Sequence, residues 1–194
     1  KTVEFFYDFG SPTVYLAATQ LPAVADQAGA IIDWRPMLLG GVFKSTGNQS
    51  PVVVPAKAAY MNVDLERFAE RYGVPFRFNP YFPINTLALM RGAVAYQDDP
   101  AVSSTYRDAI FTAIWVEAQN LNEPDVVKQV LSDARLDPAE LVSRIGQQAV
   151  KDRLIANTEE AVNRGAFGAP TFFVGEQMFF GQDRLDFVAE ALSG

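Results

Sequence analysis

An α/β fold interrupted by a long helical block is predicted for this chain, on three observations. Residues 2–8 and Ile31–Arg35 are rich in β-favouring side chains and flank a helical stretch, which makes a strand–helix–strand opening. From about Ala58 to Arg164 the pattern is helical, without strand character. Strand character returns only at Pro170–Val174 and Gln177–Phe180, and one more amphipathic helix closes the chain.

The elements follow in order. The first strand ends at Asp8-Phe9-Gly10, and Ser11 is an N-cap followed by Pro12 at the first helical position, where proline loses no hydrogen bond. The helix runs toward Gln27, but Pro22 inside it is expected to kink or break it. Gly29 stops it, and the second strand ends at Pro36. The right-handed crossover rule makes the two strands parallel. Residues 36–56, rich in Gly, Pro, Ser, Asn and Val, read as a long irregular loop. Leu65, Phe68, Ala69 and Tyr72 then share a helix face ending at Gly73, and further helices are expected over 84–97, 102–118, 124–133, 138–147 and 149–164. Gly175-Glu176 suits the two-residue turn of an antiparallel hairpin, and Leu185, Val188, Ala189 and Leu192 line the last helix. The two sheet pieces close into one four-stranded sheet. The expected organisation is residues 1–40 and 151–194 as the two parts of one unit, with 41–150 as an inserted helical domain.

Composition excludes several functions. The chain of 194 residues has a net charge of −7, which disfavours nucleic acid, and no apolar run near the roughly 20 residues of a membrane span. A cytoplasmic location is expected. It contains no histidine and no cysteine. Zinc and haem therefore lack their favoured ligands, Ser–His–Asp and Cys–His mechanisms are impossible, and a dithiol redox pair is absent. Ser11, at the carboxyl end of a strand and the amino end of a helix, has no base to activate it. Chemistry at that position needs a borrowed nucleophile.

The order of elements, with Gly168-Ala169-Pro170-Thr171 opening the third strand, resembles the thioredoxin fold in its DsbA-like form, in which the bond before that proline is cis and faces the first helix's N-terminus. Phe6-Tyr7-Asp8-Phe9-x-Ser11-Pro12, Arg35-Pro36, Lys44-x-x-Gly47-Asn48-x-x-Pro51, Asp64-Leu65, Ala166-Phe167-Gly168-x-Pro170 and Phe180-Gly181-x-Asp183-Arg184 follow in that order. Together they resemble the kappa-class glutathione transferases and the bacterial 2-hydroxychromene-2-carboxylate isomerases across essentially the whole chain.

The resemblance implies glutathione as cofactor, a small aromatic substrate and a homodimer. It implies that Ser11 hydrogen-bonds the glutathione sulfur, that Asn48 reaches the tripeptide, and that Ala169, before Pro170, pairs its backbone with the cysteinyl residue. Gln182 and Asp183 match residues that hold the γ-glutamyl end, and Lys44 matches a lysine beside the substrate. Arg35 and Lys44 are the candidates to pair with a substrate carboxylate. The chain departs from the pattern at Thr13 and Val14, at Gln182 and at Ala169. Three readings stay open: a glutathione-dependent isomerase, a glutathione transferase, and a glutathione-binding protein without turnover.

Each residue has a plainer reading beside it. Ser-Pro is an ordinary N-cap pair, Asp183 caps the last helix, Asn48 is a turn residue and Lys44 a solvated cation. Arg35 serves equally as a structural ion-pair partner, and Asp8 more readily as a cap than as a functional carboxylate. Phe172, Phe173, Phe179, Phe180 and Trp115 read as packing residues.

Overall fold

The computed structural model describes residues 1–194. The opening unit is β1 (Thr2–Tyr7), α1 (Pro12–Ala28) and β2 (Ile31–Pro36), with the strands parallel in the register Thr2↔Ile31 to Tyr7↔Pro36. Ser11 caps α1 by accepting from the Val14 N–H at 3.4 Å, and Gly29 ends it in the left-handed conformation at φ 61°. The expected break at Pro22 does not occur. Proline costs α1 one hydrogen bond, but Val14, Leu16, Leu21 and Ala25 are buried along it, and that burial holds the helix together.

The region expected as an irregular loop carries α2 (Leu39–Thr46) and a 3-10 turn at Pro51–Val53. Six helices follow: α3 (Pro55–Tyr72), α4 (Leu87–Ala95), α5 (Pro100–Trp115), α6 (Pro124–Asp133), α7 (Pro138–Ile145) and α8 (Gln148–Asn163). Of these six, α6 and α7 begin at the expected residue, α5 and α8 within two residues of it, and α3 and α4 within three. The segment between α3 and α4 has no regular secondary structure and contains a cis peptide bond, Phe82–Pro83. The chain then returns to the sheet as β3 (Thr171–Val174) and β4 (Gln177–Phe180), makes a 3-10 turn at Gln182–Arg184, and ends in α9 (Leu185–Ser193).

The sheet order is β2-β1-β3-β4, with β3 antiparallel to β1 and β4 antiparallel to β3. Strand alternation divides the aromatic residues between two faces. Phe5, Tyr7 and Phe172 point into the larger core, where Phe5 and Phe172 stack at 5.0 Å and Trp34 meets Phe5 edge-on at 5.1 Å. That core also contains Tyr106, Ile114, Trp115 and Leu131, so the inserted helices and the sheet share one continuous interior. Phe6 and Phe173 point to the opposite face and pack with Met37, with Val42 of α2 and with Ala161 of α8.

The inserted helices fix the β1–α1 turn. The buried Trp115 donates its indole N–H to the Phe9 carbonyl at 2.8 Å, and Phe9 is itself fully buried. Trp115 is thus a core residue and does not edge a site. Close packing behind it depends on Gly92, where a Cβ would lie 2.2 Å from the Tyr106 hydroxyl, a group held by the Leu89 carbonyl at 2.8 Å.

Candidate functional site

The turn after β1 opens onto a cavity of about 520 Å³. Ser11 and Thr13 form its floor on the first turn of α1, and Gly168 and Ala169 face them across the sheet end. The bond Ala169–Pro170 is cis, as the resemblance implies. The remaining walls come from α2 through Phe43, from the loop Asn48–Val52, from Met61 of α3, and from Phe78 and Phe82 of the segment between α3 and α4.

Local chemistry places each group. Asp8 is buried, with one carboxylate oxygen accepting from the Gly10 N–H at 2.9 Å and the other from the Leu39 N–H at 2.8 Å. It therefore joins the β1–α1 turn to the first N–H of α2, and the capping reading of this residue is the observed one. Burial pushes its carboxyl above the usual range, and the two N–H groups and the Thr86 hydroxyl counter that shift. The Ser11 hydroxyl lies 2.8 Å from that of Thr13, which donates to the Ala169 carbonyl at 3.3 Å. Because the β3 ladder begins at Thr171, the backbone groups of Ala169 lie outside the sheet pairing and face the cavity.

Asn48 donates its amide to the Phe167 carbonyl at 2.7 Å, tying the loop after α2 to the segment before cis-Pro170. Phe167 and Phe180, each 40% exposed, pack at 4.5 Å, and Phe180 lines the cavity. The packing role expected for Phe180 is thus only half of what it does. A Cβ on Gly168 would stand 2.8 Å from the Phe180 ring, so this approach requires glycine.

The site residues named from sequence divide into three groups. Ser11, Asn48 and Ala169 meet in the cavity, with Pro170 buried directly behind. Gln182 and Asp183 adjoin it without lining it: the Gly181 N–H bonds the Pro170 carbonyl at 3.0 Å, and Gln182, buried, accepts from the Tyr72 hydroxyl at 2.6 Å. Asp183 is exposed and paired with Arg184 at 2.6 Å.

Lys44 and Arg35 form the third group, and neither reaches the cavity. Lys44 lines a separate groove on the other side of α2 with Arg91 and Lys151. Arg35 sits on the sheet face of Phe6, pairing with Glu160, with Asp33 at 3.3 Å and with Glu4 at 3.7 Å. There Arg164 also grips Glu4 at 2.7 Å and holds its carboxyl below the usual range. Of the two readings of Arg35, the ion-pair partner is the observed one.

Sequence reasoning did not single out Met61, Phe78, Phe82 or Thr86 as site residues. Only the 12% aromatic content hinted at Phe78 and Phe82, and nothing local marked Met61 or Thr86. Asp8 is the sole charged side chain lining the cavity. An anion placed over Ser11 is therefore met by O–H groups and by the amino end of α1, where Thr13 has the uncommitted N–H, and by no cation. That arrangement suits a thiolate supplied from outside the chain. The backbone of Ala169, outside the sheet ladder and with only its carbonyl in a long bond from Thr13, suits an extended peptide, so the residues present fit glutathione.

The DSBA-like thioredoxin domain family matches residues 2–193. A 2-hydroxychromene-2-carboxylate isomerase of Sphingobium xenophagum is 32% identical over 99% of this chain and 98% of its own length. The human glutathione S-transferase kappa 1 is 28% identical over 99% of this chain and 91% of its own. A solved structure of a 2-hydroxychromene-2-carboxylate isomerase superposes with a TM-score of 0.88 at 29% identity, covering 99% of this chain and 94% of that one.

Proposed function

This chain belongs to the DSBA-like thioredoxin family, and from that premise we propose that it is a glutathione-dependent isomerase of 2-hydroxychromene-2-carboxylate-type aromatic 2-oxo acids. The observation that carries the reading is the Ser11 hydroxyl on the first turn of α1, facing cis-Ala169–Pro170 across a cavity without a nucleophile of its own. The relatives named isomerase extend along the whole chain at 32% identity.

A free thiol ionises near about 8.5, so a site that uses thiolate at neutral pH has to stabilise the anion. Glutathione, when bound, would supply the thiolate nucleophile that this chain lacks, for reversible conjugate addition to a C=C bond. Ser11 would donate its hydroxyl hydrogen to the sulfur, and the Thr13 N–H in the first turn of α1, where Pro12 has no N–H and Val14 is committed to Ser11, would add its partial positive charge. The Ala169 N–H and C=O align the cysteinyl backbone, and Asn48 keeps the loop wall against the same segment. Phe78, Phe82 and Met61 form an apolar wall for the aromatic ring and exclude water from the reacting carbons. Gln182 and Asp183, next to Pro170, are the polar groups nearest the γ-glutamyl end.

The experiment is turnover of an ortho-hydroxybenzylidenepyruvate with glutathione present in less than stoichiometric amount. Isomerisation with the thiol fully recovered is expected. Loss of thiol in proportion to an electrophilic aromatic halide would give the transferase reading instead, which the kappa-class relatives support. Glutathione should also raise the thermal midpoint, by about 2.7 kcal/mol of stabilisation at a hundred times its Kd. No shift at millimolar glutathione would overturn the cofactor assignment.

A further inference from the structure

We propose that Thr13 is a positioning residue that aims the Ser11 hydroxyl at the bound thiolate by reversing a two-hydroxyl hydrogen-bond chain. The inference rests on the glutathione reading above and deepens it.

The two hydroxyl oxygens stand 2.8 Å apart, and either can donate. Ser11 already accepts from the Val14 N–H at 3.4 Å, and Thr13 lies 3.3 Å from the Ala169 carbonyl. Two protons therefore serve two alternative chains. In the first, Ser11 donates to Thr13 and Thr13 donates to Ala169. Both protons are spent inside the protein, and none faces the cavity. In the second, Thr13 donates to Ser11. The Ser11 oxygen then accepts from both Thr13 and Val14, which directs its own proton into the cavity and polarises it as a donor.

In the first chain both protons have protein partners. Reversal gives up only the Thr13–Ala169 bond, which at 3.3 Å is long against the usual span of about 2.5–3.0 Å for O–H···O. It gains a bond to a full negative charge, roughly twice as strong as a neutral one. An anion over Ser11 thus selects the second chain.

The surrounding charges make this chain matter. Asp8 from the end of β1 is the sole charged side chain on the cavity wall and opposes a thiolate. The walls from α2, the Asn48–Val52 loop, α3, the Phe78–Thr86 segment and Gly168–Ala169 contribute no charged group. With no cation present, the orientation of one hydroxyl sets much of the anion's stabilisation.

The test is a titration of the glutathione thiol bound to the protein, followed by its thiolate absorbance, in Thr13→Val, Thr13→Ser, Ser11→Ala and the Thr13→Val/Ser11→Ala double variant. Thr13→Val keeps the shape and removes the hydroxyl. The midpoint is expected to rise by about 0.5–1 pH unit, equivalent to about three- to tenfold less thiolate at fixed pH. Thr13→Ser should titrate like the parent, and the double variant should shift no further than Ser11→Ala alone, because Thr13 acts through Ser11. Affinity for S-methylglutathione, which has no thiol to ionise, should not change. Should Thr13→Val fail to fold, Thr13→Ala replaces it.

A Thr13→Val midpoint equal to or below the parent's, or a double variant that shifts by the sum of the two single variants, would overturn the proposal. Both results leave the cofactor reading standing. Absence of any glutathione-dependent thiolate signal in the parent protein would overturn the two together.

Discussion

The two sides of α2 make opposite environments within one helix's width. On one side the Ser11 cavity, about 520 Å³, is lined by hydroxyls, amides and aromatic rings, with Asp8 its sole charge. On the other, a groove of about 400 Å³ gathers Lys44, Arg91 and Lys151 against the single acid Glu159. Phe43 belongs to the first and Lys44 to the second, because one residue along a helix rotates the side chain by about 100°. An anion in the groove is met by side-chain charges that salt screens. An anion over Ser11 is met by short-range dipoles held in place by the fold, which salt affects far less. A protein of net charge −7 thus keeps its converging cations away from the place where a thiolate would sit.

The contrast is broken most severely by removing what holds α2 between the two sides. Asp8→Ala leaves the part-buried Gly10 and Leu39 N–H groups without partners, and at about 1–3 kcal/mol for each orphan the loss should be about 2–6 kcal/mol in urea unfolding, toward the lower end because neither group is fully buried. Unchanged stability would mean that α2 is anchored elsewhere.

Ser11→Ala comes next. Turnover should fall about 10- to 100-fold, a hydrogen bond's 1–3 kcal/mol to a charged acceptor. Loss of the N-cap should cost about 1 kcal/mol of stability alongside. Full activity in the folded variant would remove Ser11 from the chemistry.

A subtler comparison uses pH. Burial raises the Asp8 carboxyl, so the folded protein binds this proton more tightly than the unfolded chain does. Asp8 therefore costs stability as pH rises from its unfolded value near 3.8 through its higher folded value, and the cost is constant above that. The stability of Asp8→Asn relative to the parent should increase across that window and then level off. A difference that is flat or falls with pH would contradict the burial seen here.

The smallest effect is expected on the cationic side. Lys44→Gln and Arg91→Gln should leave glutathione affinity and turnover within about twofold of the parent, as surface changes away from a site do. A tenfold loss in either would join the groove to the Ser11 cavity and end the distinction.

Much of this was legible in the sequence because its signals are local. Ser11-Pro12 marks a helix start, Gly175-Glu176 a hairpin, and Gly168-Ala169-Pro170 a strand entry; each holds in the fold. The helix α2 was not legible, since Gly40 and Gly41 each cost about 1 kcal/mol of helix propensity relative to alanine. Tertiary contacts reverse that: Asp8 caps Leu39, and at Gly41 a Cβ would come within 3.1 Å of the Thr158 methyl, so the glycine permits the approach of α8. Strand alternation pairs Arg35 with Phe6, on the face away from Ser11, which its place beside Pro36 in the sequence does not reveal. Lys44 takes its bearing from a helix where a loop was expected. The apolar wall of Phe78, Phe82 and Met61 comes from segments distant in sequence that only the closed fold brings together.

The sheet draws β1 and β2 from residues 2–36 and β3 and β4 from residues 171–180. On the ribosome this separates the two walls of the cavity in time. At about 5–20 residues per second, on the order of 10–30 s pass between synthesis of Tyr7 and of Thr171. Throughout that interval the nascent chain carries the Ser11 turn and most of the helices, while one edge of β1 waits for its partner. The cavity is therefore assembled late, shortly before α9 completes the core, and no cofactor can act as a folding template before the segment around Ala169 has emerged.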